Sequence, residues 1–173
     1  KPSRLAPNSL LILSPEEMQA SLDAYPVEFL WIRETGKVLA GELDAASLVI
    51  DREPLRLQCE RELRGLVFHA RNGFVHSHGK PAVLGGILAG STSKLLLLLS
   101  AATRLLTQKA VTTSHEVIDA LALLEPSVGL PLSRLFEISR EKRPKVQSAE
   151  FLLILSALET LVQRVDCCEG STP

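Results

Sequence analysis

The chain has 173 residues, 46% of them hydrophobic and 4% aromatic, enough to bury one core but poor in the material of a β-sandwich. A formal net charge of −1 gives no global pull toward nucleic acid or an anionic membrane. Three cysteines, two of them adjacent at Cys167 and Cys168, make neither a disulfide framework nor a zinc spacing, and point to a reducing cytoplasm.

The chain begins Lys1-Pro2-Ser3 rather than with methionine, so further sequence is expected upstream. After the apolar run Leu10–Leu13, Ser14-Pro15-Glu16-Glu17 reads as a capping box with proline in the first turn, opening a helix that stops before Pro26. Val27–Ile32 is branched and aromatic and bounded by turn formers, so it is predicted to be a lone strand. Residues 37–50 then read as a connection, with Asp51 as the cap of the next helix and Pro54 in its first turn.

Leu55–Phe74 predicts one long amphipathic helix. Leu55, Cys59, Leu63, Leu66, Val67, Ala70 and Phe74 recur at helical spacing as a core stripe. Arg56, Glu60, Arg64 and Arg71 border it. Two of their spacings are four residues, which suits an alternating ion-pair ladder and a docking or substrate-positioning surface.

After the turn at Ser77–Pro81, Ala82–Thr107 is predicted to be one leucine-rich helix. Its Lys94, Arg104 and small polar residues suit the centre of a helical bundle better than a membrane span. Thr113 or Ser114 caps the next helix, with Glu116 in its first turn and Pro126 beyond its end. Pro131 is predicted to open a further helix that breaks at Pro144. Ser148–Asp166 is the last, burying Phe151, Leu152, Leu155, Leu158, Leu161, Val162 and Val165. The expected fold is mainly α: an antiparallel bundle of four to five helices over residues 51–166, behind a small α/β segment over 1–50, with 167–173 a frayed tail.

Few residues converge on chemistry. Glu42-Leu43-Asp44 has the acid-x-acid spacing that can share a divalent cation, but in a loop-like context. Gly90-Ser91 is similar to the phosphate-gripping turn of nucleotidyltransferases, without acids downstream. The cluster Lys142-Arg143-Pro144-Lys145 could touch a phosphate or simply be solvated. Arg71 and His76 stand at the arginine-histidine spacing of the HEPN ribonucleases, whose metal-free RNA cleavage needs a proton shuttle and a cation for the phosphorane. Arg64 and His69 repeat that spacing nearby, which lowers its specificity.

Four blocks carry a resemblance: Pro26–Leu30, Val38–Glu42, Leu55–Gly65 and Ala70–Phe74. Over residues 26–75 the chain resembles uncharacterised bacterial nucleotidyltransferase-like proteins, similar in plan to kanamycin nucleotidyltransferase. The resemblance implies a polymerase-β-like catalytic domain upstream followed by a helical domain that helps hold the acceptor. The family's Gly-Ser turn and paired metal-binding acids have no counterpart here. Mg²⁺ and a nucleoside triphosphate are therefore expected only with an upstream catalytic domain, and no cofactor in this chain. The expected role is a non-catalytic helical domain serving substrate positioning or subunit assembly, with Arg56, Glu60, Arg64 and Arg71 as its contact residues. Its expected partner is that catalytic domain or a second copy of the chain, with no membrane. The alternatives are a HEPN-type ribonuclease using Arg71 and His76, the one case in which nucleic acid would bind, and a purely structural dimerisation module.

Overall fold

The computed structural model describes residues 11–41, 44–91 and 94–168. Among them the fold is mainly helical, with eight α-helices and no strand. These are α1 (Pro15–Ser21), α2 (Pro26–Thr35), α3 (Arg52–Ser77), α4 (Pro81–Gly90), α5 (Leu95–Thr107), α6 (Ser114–Leu124), α7 (Pro126–Arg140) and α8 (Ser148–Asp166). A short 3₁₀ turn, Ala45–Ser47, lies between α2 and α3.

Local signals set several of the boundaries. Ser14 Oγ accepts from Glu17 N while Glu17 returns a bond to Ser14 N, so the expected capping box opens α1. Thr113 and Glu116 build the same device at α6. Residue 51 does precede the long helix, but Asp51 makes no side-chain cap bond. That helix ends at His78, whose positive φ of 49° turns the chain out of the helix.

Three expectations are corrected. Val27–Ile32 is not a strand; it lies within α2. Pro26 occupies the first helical turn, and both sides of α2 are buried. Val27 and Leu30 enter the main core, while Phe29 joins Met18, Leu22 and Leu48 in a second cluster. Burial on two sides removes the polar face by which a short helix is recognised.

The leucine-rich run from Ala82 to Thr107 is two helices rather than one. α4 stops at Gly90, where Ser91 Oγ donates to the Ile87 carbonyl at 2.9 Å and competes with helix continuation. Pro131, finally, does not open α7. Pro126 does, and Pro131 sits inside the helix.

The packing is built around α3 and α8. Along them Arg64 meets Asp166, Arg71 meets Glu159, and the Phe74 and Phe151 rings stand 5.4 Å apart. Rising numbers on one helix meet falling numbers on the other, so the pair is antiparallel. α7 crosses α8 in the same sense, through Glu125–Arg164 and Arg134–Glu150. Leu63, Leu84, Leu98, Leu99, Leu132 and Phe151 are fully enclosed between these helices. Val27 and Leu30 share that core, so α2 packs with the helices that follow it.

The linker between α7 and α8 is tied down as well. Val146 N donates to the Pro81 carbonyl at 3.0 Å, and the Pro144 carbonyl lies so close to Gly85 that a Cβ there would overlap it. A glycine is required at that crossing by close approach rather than by turn geometry. No single helix among the described residues is long and apolar enough to cross a membrane.

Candidate functional site

The arginine-rich border of α3 is the most organised polar feature of the molecule. Arg56 forks onto Glu53, with Nε–Oε2 at 3.0 Å and Nη2–Oε1 at 2.7 Å, and its Nη1 reaches Glu60 Oε2 at 3.1 Å. Glu60 gives its other oxygen to Arg64 Nε at 2.6 Å. Arg64 Nη2 then leaves the helix for Asp166 Oδ2 on α8, at 2.8 Å. Two turns beyond, Arg71 contacts Glu159 Oε1 through both Nε and Nη2, at 3.0 and 2.9 Å.

The fourfold spacing thus produces the expected ladder, and two cross-helix bonds extend it. Each cation is matched by a carboxylate of the same chain. The Arg56 guanidinium holds the Glu53 carboxyl below the usual glutamate range, while Glu53 and Glu60 in turn strengthen the hold of Arg56 and Arg64 on their protons. A row so paired is an anion site only if a ligand displaces these carboxylates.

The arginine-histidine spacing does not bring its members together. Five residues along a helix place Arg71 and His76 about 140° apart on its surface. Arg71 turns toward α8, and His76 is exposed near the helix end. Arg64 is likewise engaged with Glu60 and Asp166 rather than with His69. Of the acid-x-acid pair, Glu42 lies outside the described residues. Asp44 accepts from Ala46 N at 3.1 Å and caps the 3₁₀ turn. Ser91, of the Gly-Ser pair, is occupied with Ile87. Among the described residues no group of three or more His, Cys, Asp or Glu could hold a metal ion.

A second polar cluster was not read from the sequence. Gln58, only 4% exposed, accepts from Val27 N at 2.9 Å through Oε1 and donates through Nε2 to Glu28 at 2.7 Å and Glu62 at 2.9 Å. Tyr25 caps α2 with no side-chain bond, so the free N–H of that first turn is satisfied from α3 instead. One carboxamide thereby joins two helices and separates two carboxylates. A glutamine on a core-flanking position was the available signal, but its partner lies 31 residues away.

Two further groups are unusual in their burial. Glu34 has a side chain only 9% exposed, and its Oε1 makes no hydrogen bond; the nearest cation, Arg33 Nη2, is 3.8 Å away. Burial raises its pKa against the pull of Arg104 and Arg33. Cys59 is fully enclosed, and burial pushes its thiol up to about 12, so it is a core side chain rather than a nucleophile.

A cavity of about 170 Å³ opens between α5, α6, α7 and α8. Its walls are Leu106, Leu121, Leu124, Val128 and Leu161, with the Glu125–Arg164 pair closing on itself at 2.7 Å along the rim. Among the described residues no convergent set of free polar groups faces it. Comparison with protein-family models, curated proteins and solved structures finds no match to this chain.

Proposed function

We propose that this chain is a non-catalytic helical domain that works by positioning or assembling a partner. The observation that carries this reading is the internal pairing of the arginine row. Arg56, Arg64 and Arg71 spend their guanidinium groups on Glu53, Glu60, Asp166 and Glu159, and two of these contacts lock α3 onto α8. Such a row makes a rigid edge of fixed charge, suited to aligning a neighbouring surface.

The antiparallel helix pairs fit a bundle of the kind that accompanies a nucleotidyltransferase catalytic domain. The resemblance over residues 26–75 points to such a domain as the partner, and Mg²⁺ and a nucleoside triphosphate would bind there. Joining the native upstream sequence to this chain and titrating with Mg²⁺-nucleotide tests the reading. Binding by the joined protein and none by the chain alone is expected. A native upstream sequence without a Gly-Ser turn and paired acids would end the assignment.

A further inference from the structure

α3 carries a second face, turned away from Leu63, Val67 and Ala70, that no element among the described residues covers. Leu57, Arg61, Gly65, Phe68, Asn72 and Val75 recur there at intervals of three and four and are exposed or half-buried. The large apolar members stand far into solvent, with Leu57 51%, Phe68 57% and Val75 70% exposed. Gly65 sits at the middle of this face, and a Cβ built on it meets nothing within 4 Å. A glycine in a helix interior costs stability relative to alanine, and here no contact among the described residues explains it.

We propose that this face binds a second copy of the chain, α3 against α3, about a two-fold axis that passes between Gly65 and Phe68. The inference rests on the assembly role argued above and names its partner. The face is self-complementary under that operation, as a closed dimer requires. In an antiparallel pairing Phe68 faces the notch at the partner's Gly65, Leu57 faces the partner's Val75, and Arg61 faces the partner's Asn72. The two Arg61 groups then lie about 16 Å apart along the axis, beyond the range of strong repulsion in salt.

Area supports the same occupant. The exposed parts of Leu57, Phe68 and Val75 amount to roughly 300 Å² of apolar surface per copy, the scale at which patches mark docking sites. Two faces with their flanking polar side chains reach about 1,000 Å², the lower end for a specific interface. An interface of that size belongs to weak, reversible association.

Sedimentation equilibrium of the chain from 1 to 200 µM is the test. A monomer–dimer equilibrium is expected. Phe68→Glu should weaken it at least tenfold with the helical circular dichroism unchanged, and Leu123→Glu, on exposed α6, should leave it unaltered. Gly65→Leu separates notch from accident: it favours the helix, so the thermal midpoint holds or rises while the dimer is lost. A wild-type chain that stays monomeric at 200 µM overturns the proposal, as does a dimer indifferent to both Phe68→Glu and Gly65→Leu. Absence of nucleotide binding by the upstream-extended protein, with this dimer intact, would remove the nucleotidyltransferase reading and leave the self-association standing.

Discussion

Replacing Gln58 with leucine should cost the fold more than any surface change, although the substitution is close to isosteric and more apolar. Three bonds disappear: Val27 N to Oε1, and Nε2 to Glu28 and to Glu62. The Val27 N–H is left without an acceptor in a buried position, a loss of about 1–3 kcal/mol. The two carboxylates lose the donor they share and face each other across an apolar side chain. Together these effects should destabilise the chain by about 3 kcal/mol. For a chain of this length that is a fall in thermal midpoint of roughly 6–12 °C.

Urea unfolding followed by circular dichroism at pH 7 measures the change directly. Gln58→Glu supplies a sharper companion. Its carboxylate can still accept from Val27 but repels Glu28 and Glu62, so its folded-state pKa is raised. Stability is then present while the group is protonated and is lost as pH rises through that folded pKa. Gln58→Glu should therefore approach the wild type near pH 4 and fall well below it at pH 7. A Gln58→Leu change under about 0.5 kcal/mol would refute the claim that this carboxamide holds α2 on α3.

Other consequences are independent of that cluster. Glu34→Gln should raise stability at pH 7 by up to about 1 kcal/mol and converge with the wild type near pH 4, because the raised carboxyl contributes only when protonated; equal stability at both pH values would show that the Glu34 charge is not penalised. Gly85→Ala should destabilise by about 1–3 kcal/mol through overlap with the Pro144 carbonyl, whereas Gly86→Ala, whose Cβ meets open space, should stabilise by up to about 1 kcal/mol. The reverse order in thermal melts would contradict the placement of the linker. A thiol reagent at pH 8 should find Cys167 and Cys168 in the native chain and reach Cys59 only on unfolding. Rapid labelling of Cys59 in the folded state would show that the core opens there.

Helix α3 was legible because its core stripe from Leu55 to Phe74 keeps one side over about five turns and its charges keep the neighbouring edge. Leu55, Cys59, Leu63, Val67 and Ala70 are buried as their spacing implies. The ladder within α3 followed from i,i+4 geometry, but Asp166 and Glu159 could not, since they lie 102 and 88 residues away. Helix α2 was misread for a physical reason. Its branched and aromatic residues face two separate clusters, so the alternation that marks a helix is absent, and its cap comes from Gln58 rather than from a neighbour in sequence. The break after Gly90 was hidden because leucines on both sides of it enter one core. In α8, Leu152 kept the expected helical state but turned outward, while Ile154 took a buried place the sequence reading had not assigned.

The central claim is that the α3 arginine row is spent on holding helices together and shaping an edge, rather than on holding a phosphate. The Nε–H resonances of Arg56, Arg64 and Arg71 report on it most directly, observed by ¹⁵N-resolved NMR while Mg²⁺-ATP or inorganic pyrophosphate is titrated into the chain. The account expects these three signals to stay dispersed and to show no saturable shift. A saturable shift at two or more of them, with Glu60 or Asp166 released from its arginine, would make the row a ligand site and contradict the account.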